Sequence, residues 1–259
     1  MNRKYLMIIT ALVGILVQTG IVRANDPILF KVSPDTIGIG AFYDGTTLSI
    51  KGVVPSDCEA VIRIMGEQST VNMKRKEKVF GILWMNRTSL TFESVPSAFL
   101  MATSKTFEDL LETRKDAAPV YQLGLPALSH RTVITPETPD RDFLIKEFLR
   151  LKEKEGLYAV TTGIRYAMDS GVQKNFEANP AIPAKFPPGK YVIEVYAVKH
   201  GDIVAKAEQP LVVKLEGFPA LLADMAFNHG TLYGILATLN AIIACLFTGL
   251  VFGRSKGAH

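Results

Sequence analysis

The chain has 259 residues, 48% of them hydrophobic, and 29 Lys and Arg against 25 Asp and Glu give a net charge of +4. A chain of this length can bury a real core as one large domain or two small ones, and so mild a positive balance excludes the strongly basic character of a nucleic-acid-binding domain. Its two cysteines, Cys58 and Cys245, exclude a disulfide scaffold, since one lies in the central region and the other in a terminal apolar run.

Arg3 and Lys4 precede an apolar run over 6–17, and Val22, Arg23 and Ala24 close the segment with the residue pattern of a signal-peptidase site. Residues 1–24 therefore read as a signal peptide cleaved after Ala24. The competing reading is an uncleaved signal-anchor helix over 5–22, nearly long enough to span a bilayer. From residue 25 the pattern becomes short strands, predicted over 30–32, 36–42 and 47–53, with Asp44-Gly45 supplying a hairpin turn between the last two. Leu48, Ile50 and Gly52 alternate with Ser49, Lys51 and Val53, the two-residue period of a half-exposed antiparallel sheet. Cys58 reads as a packed, inert thiol, against a reactive or dimer-bridging one.

Further strands are predicted over 60–65, 71–73, 79–84, 89–93 and 98–103. The run Lys74-Arg75-Lys76-Glu77-Lys78 reads as a solvated hairpin tip; the alternative is a site for an anion, a lipid headgroup or an acidic partner. Asn86 and Arg87 follow Trp84, the only tryptophan. They form either a recognition turn or a turn in which Asn86 bonds local backbone while Trp84 packs inward. Arg75, Lys76, Asn86 and Arg87 are thus the candidate surface-recognition residues.

The middle of the chain reads as a helical insertion at about 105–158. Thr106 can cap a short helix running through Arg114, and a loop rich in Pro, Leu and Thr without periodicity follows over 117–139. A longer helix has Thr138 at its N-cap, Pro139 in the first turn, Asp140 and Asp142 near its positive end, and Gly156 beyond its last lysines. Its apolar stripe, Leu144, Ile145, Phe148, Leu149 and Leu151, should lie against the sheet. That stripe reads as packing, with a partner groove or lid as the alternative.

Strands return over 172–178, 192–198 and 203–215, the last two joined by a His200-Gly201-Asp202 turn and the last broken by Pro210. Pro187-Pro188-Gly189-Lys190-Tyr191 before this hairpin places Tyr191 where its ring fills a corner and its hydroxyl bonds backbone, as in an immunoglobulin-like sandwich. Pro210 marks an edge or a bulge. The fold class is therefore mainly β with a helical insertion, an immunoglobulin-like antiparallel sandwich over 25–217; two small β domains are the alternative. A juxtamembrane segment over 218–229 follows, with Phe218, Leu221, Leu222 and Met225 available to an interface.

Residues 230–252 are uncharged and apolar. About 20 such residues at roughly 1.5 Å each match a hydrocarbon core of about 30 Å, which makes this a transmembrane helix. Gly230 and Gly234 form a GxxxG pair, Ala237, Ala241, Cys245, Gly249 and Gly253 recur at every fourth position, and Asn240 places an amide in the outer half. These residues predict close approach of another helix, from an integral membrane protein or a second copy of the chain. The bland reading is that small residues are common in such helices and that a lone span tolerates one Asn. Arg254 and Lys256 follow the span while Asp224 and His229 precede it, so 254–259 reads as a cytoplasmic tail and 25–229 as exported. That is a single-pass inner-membrane protein, facing the periplasm if the source is a Gram-negative bacterium.

Arg75-Lys76, Gly81 with Trp84-Met85-Asn86, Phe92 with Val95-Pro96-Ser97, Glu155-Gly156-Leu157-Tyr158 and Pro188-Gly189-Lys190-Tyr191 precede this single span in one order. The order resembles the Alph_Pro_TM family of bacterial transmembrane proteins over nearly the whole mature chain. The resemblance implies architecture and no catalytic residues, together with an association with sulfite or organosulfonate exporter-like membrane proteins.

Sites of chemistry are not suggested by the residues themselves. His130, His200, His229 and His259 lack paired metal-ligand spacing. Met65, Met73, Met85 and Met101 could offer thioethers to Cu(I), yet stand singly in strand-like segments and read as core. Ser104, Ser129 and Ser170 lack a nucleophile elbow. The expectation is no catalytic, cofactor or metal site. The function expected is a non-enzymatic accessory or assembly subunit of an integral membrane partner, with an exported ligand-binding or sensing module as the alternative.

Overall fold

The computed structural model describes residues 28–80, 82–111, 119–169 and 171–253. The signal-peptide segment 1–24, the tail 254–259 and the far end of the helix expected through Arg114 lie outside them. The chain is mainly β. One sheet has the order β1 (Leu29–Ser33), β4 (Ser49–Pro55), β12 (Gln173–Ala178), β11 (Ile164–Asp169). A second has six strands, in the order β10 (Tyr158–Thr162), β8 (Phe99–Thr103), β5 (Glu59–Gly66), β14 (Gly189–Lys199), β15 (Asp202–Leu215), β2 (Thr36–Ile39). A third comprises β6 (Gln68–Val79), β7 (Leu83–Pro96) and β9 (Val133–Thr135), and β3 (Thr46–Thr47) pairs with β13 (Ala181–Ile182).

The first two sheets share one hydrophobic cluster. Leu48 and Ile50 from the first join Ile62, Ile64, Ile193 and Val195 from the second. The alternation expected across β4 is present: Leu48 and Ile50 are buried and Lys51 is exposed. Tyr191 behaves as expected, its hydroxyl donating to the Pro187 carbonyl at 2.7 Å while its ring stacks on Phe186 with centroids 4.5 Å apart. Pro210 lies opposite Val192, and β2 begins to pair with β15 only at Val212. The proline therefore occupies an open edge, where its missing N–H removes no ladder bond.

Three expectations need correction. The six-stranded sheet is mixed rather than purely antiparallel, because β10 runs parallel to β8 and β2 parallel to β15; the other sheets are antiparallel. A parallel pair needs a long crossover, and the helical segment between β8 and β10 supplies one. Asp44-Gly45 does not close a hairpin, since β2 pairs with β15 whereas β4 pairs with β1 and β12. Gly45, at φ +95°, instead brings the chain against the Ile182 carbonyl, where a Cβ would come within 2.7 Å. Finally, the basic run 74–78 lies inside β6, and the turn falls between Val79 and Leu83.

The helical segment comprises α1 (Phe107–Leu111), a 3₁₀ turn (Pro119–Leu123), α2 (Leu125–Arg131) and α3 (Arg141–Lys154). The Asp109 N–H donates to the Thr106 hydroxyl at 3.3 Å, the cap expected for α1. For α3 the cap differs: Asp140 holds the N-cap position, and the buried Thr138 hydroxyl has no protein hydrogen-bond partner. Leu144, Ile145 and Phe148 are buried as expected, with Phe148 stacked on Phe92 at 4.6 Å, whereas Leu151 rotates off the stripe and is exposed. α2 folds within a stretch expected to be loop; Pro126 in its first turn suits helix entry. After β15 come α4 (Phe218–Asn228) and α5 (Gly230–Gly253).

Candidate membrane-facing surfaces

α5 is one continuous helix whose segment Gly230–Phe252 is long and apolar enough to cross a membrane, and none of its central window is buried by the rest of the chain. At about 100° per residue, Gly230, Gly234, Ala237, Ala241, Cys245 and Gly249 fall within a single arc of about 120°, so the two small-residue ladders form one face. Asn240 lies about 60° beyond one edge of that face and Leu246 about 60° beyond the other. The hydroxyls of Thr238 and Thr248 donate to the carbonyls of Gly234 and Ala244 at 2.9 and 2.8 Å, which satisfies them inside the helix. Leu239 and Leu250 point the other way and give a bulky surface suited to lipid. α4 leads into α5 through the Tyr233 N–H to His229 carbonyl bond, and it exposes Phe218, Leu221 and Phe227.

The β6–β7 ribbon is the second exposed surface. Pairing sets Lys74 opposite Ser89, Lys76 opposite Asn86 and Lys78 opposite Trp84, so all six share one face. Arg75, Glu77 and Val79 lie on the other, opposite Thr88, Met85 and Leu83. Of the four expected recognition residues, Lys76 and Asn86 face solvent together. Arg75 is instead tied to Asp140 at the start of α3, 3.2 Å away, and Arg87 lies 3.9 Å from Glu77. Asn86 and Arg87 belong to the body of β7 and not to a turn. Trp84 does not pack inward; it is exposed, with the Lys78 ammonium 5.4 Å from its ring centroid. The turn itself is apolar, and Phe80, Ile82, Leu83 and Met85 are all exposed there.

Two polar clusters arise from residues far apart in sequence. Glu59 accepts from the hydroxyls of Ser104 at 2.6 Å and Tyr166 at 2.7 Å, with Lys105 at 3.0 Å and Lys174 at 3.7 Å. Burial alone would raise its carboxyl; these donors and cations overcome that and hold it at about 2. Beside it, burial and then Asp57 push the Cys58 thiol up to about 11, so it stays protonated and inert at neutral pH. The other cluster is buried: the Arg63 guanidinium donates to Glu194 at 2.7 Å and to the Tyr196 hydroxyl at 2.8 Å, and Lys206 lies 2.8 Å from Glu194. Burial opposes ionisation of Glu194, but Lys206 and Arg63 keep its carboxyl below the usual range. No sequence spacing announced either group, because strand pairing assembles them.

The groove between α2 and α3 brings His130, Ser129, Arg141 and Asp142 together. Its polar groups serve helix ends: the Ser129 hydroxyl donates to the Pro126 carbonyl at 2.6 Å, and Arg141 donates to the Ser129 and Thr132 carbonyls at 3.2 and 2.9 Å.

A mainly β domain followed, among the described residues, by one exposed helix long and apolar enough to cross a membrane fits a single-pass membrane protein. The chain belongs to the Alph_Pro_TM family of transmembrane proteins, whose family model matches residues 27–254. That is the family the motif order resembled, and the match covers both the β domain and α5. Among curated proteins no relative of the chain is found.

Proposed function

We propose that this protein is a non-enzymatic accessory or assembly subunit, a β-sandwich domain held at the bacterial inner membrane beside an integral membrane partner of transporter type. The observation that carries this reading is the single small-residue face of α5, bare of contacts within the chain, with the Asn240 amide about 60° beyond its edge. Small residues let helix backbones approach closely, and an amide in hydrocarbon gains from a hydrogen-bonding neighbour. The polar groups of the α2–α3 groove cap helices and the Cys58 thiol is held neutral, which favours a binding role over catalysis.

The immunoglobulin-like form of the domain is supported by the A-B-E-D-like order β1-β4-β12-β11, the passage of the chain from β1 in that sheet to β2, which runs parallel with the last strand β15, and the Tyr191 corner. An exported domain with a cytoplasmic tail follows from Arg254 and Lys256 beyond the span.

The test is purification of the full chain from its source membranes in mild detergent. A stoichiometric membrane protein that is lost with Gly234→Leu or Ala241→Leu and retained with Leu250→Ala supports the reading. Loss of a second copy of this chain by the same variants supports self-association instead. A monomer unchanged by all three contradicts both.

A further inference from the structure

The outer half of the β6–β7 ribbon has no explanation in the fold. Beyond the tie between Arg75 and Asp140 its strands pair with each other only, among the described residues. A two-stranded ribbon alone in water is marginal, and this one carries its largest apolar side chains at the free end. Phe80 is 94% exposed and Ile82 83%, with Leu83, Trp84 and Met85 also exposed. Phe80 holds φ at +54°, a conformation uncommon for a bulky residue. Behind the apolar end, Lys74, Lys76 and Lys78 line one face. Between Val71 and Phe92 five basic residues stand against one carboxylate, that of Glu77, which faces Arg75 and Arg87 on the opposite side.

An apolar end, a tryptophan at its margin and a row of lysines just behind it is the order of chemistry met on entering an anionic bilayer: hydrocarbon first, then interface, then phosphate. Lys78 over the Trp84 ring would sit where the two zones meet. The ribbon also starts on the side of the domain that carries the anchor. Gly66 lies opposite Tyr191, and Tyr191 lies opposite Leu211 near the end of β15. The strand leading to β6 and the strand leading to α4 and α5 therefore leave the same end of the six-stranded sheet. β6 has 12 residues, and at about 3.3 Å per residue the ribbon extends about 40 Å from that base.

The geometry points to the exposed side chains at the tip of the β6–β7 ribbon, Phe80, Ile82, Leu83, Trp84 and Met85, as a second membrane contact that inserts into the anionic interface of the bilayer crossed by α5, with Lys74, Lys76 and Lys78 binding the lipid phosphates. This goes beyond the accessory-subunit reading and does not depend on any protein partner.

Trp84 is the only tryptophan, so its emission reports the tip alone. The experiment places the full chain in nanodiscs of phosphatidylcholine with about 30% phosphatidylglycerol, held by a scaffold protein without tryptophan, with brominated acyl chains as quenchers and acrylamide as the aqueous probe. The expected result is blue-shifted emission, quenching by the brominated chains and protection from acrylamide. In discs of phosphatidylcholine alone, or with Lys74→Glu, Lys76→Glu and Lys78→Glu combined, quenching by lipid is lost. From about 1 kcal/mol for each basic residue at an anionic surface, occupancy of the inserted state falls roughly fivefold per lysine neutralised. Phe80→Ser with Ile82→Ser removes the insertion while an unchanged thermal melt shows that the domain is intact.

Emission at long wavelength with full access to acrylamide in every disc overturns the proposal. So does quenching seen only when the brominated lipid is in separate added vesicles, which assigns the tip to an opposing membrane. Protection that appears only with a co-purified protein overturns it in favour of protein docking.

Discussion

β14 and the tip of the β6–β7 ribbon both carry runs of apolar side chains on extended strands, and they meet opposite surroundings. In β14, Tyr191, Ile193, Val195 and Ala197 are buried on one side, while Glu194 and Tyr196 on the other side are buried with Arg63. In the ribbon, Trp84 and Met85 point to opposite faces and both are exposed. Apolar content makes each segment a strand; what decides burial is how many neighbours the topology supplies. β14 lies between β5 and β15 inside a six-stranded sheet, whereas β6 and β7 pair only with each other beyond Leu90. The lesson is that the same hydrophobicity builds a core where it is covered and a contact surface where it is not.

The sharpest test of this contrast is to truncate each side. Ile193→Ala should cost about 3–4 kcal/mol, the loss of a buried branched side chain plus the cavity it leaves, and denaturant unfolding of the full chain in mild detergent measures it. Phe80→Ser with Ile82→Ser should change stability by no more than about 0.5 kcal/mol in the same assay. Equal losses would mean that the tip packs in the folded domain and would break the comparison.

The outer side of β14 gives the next effect. Arg63→Met leaves Glu194 buried with Lys206 as its remaining cation, and should cost about 3 kcal/mol. Adding Glu194→Gln should recover part of that loss, because the uncompensated charge is gone. Smaller again is Tyr191→Phe, which removes the hydroxyl's hydrogen bond to Pro187 and its interaction with Ser97 and should cost about 1 kcal/mol.

The last effect is read as a slope rather than a single loss of stability. Glu59 is ionised more readily in the folded chain than in the unfolded one, so the unfolded state binds more protons between its ordinary value of 4.5 and about 2. Its contribution is present above that window and is lost as pH falls through it. Glu59→Gln should therefore flatten the acid limb of the stability curve, and Tyr166→Phe should flatten it partly. An unchanged acid limb for Glu59→Gln would show that the cluster does not hold the carboxyl down.

Local signals made much of the fold legible. The alternation in β4, the Pro-Gly entry to β14 with Tyr191, the Thr106 cap and the uncharged run of α5 each depend on neighbours in sequence. Partners distant in sequence were not legible. β2 beside β15, the crossover that makes β10 parallel to β8, and Glu59 with Tyr166 are products of topology. The ribbon misled in an instructive way: Lys74 to Lys78 carried the charge expected of a tip, yet alternation continues through them and the apolar residues form the end. The α5 face was visible as a four-residue period, and a single continuous helix joined its two ladders.

What that face touches is the central question, and photo-crosslinking within source membranes answers it most directly. A photoreactive side chain placed at Ala237 or Ala241 is predicted to yield one discrete protein adduct, while the same group at Leu239 or Leu250 yields adducts with lipid alone. Lipid adducts alone at all four positions would contradict the proposed role of α5 as a partner-binding helix.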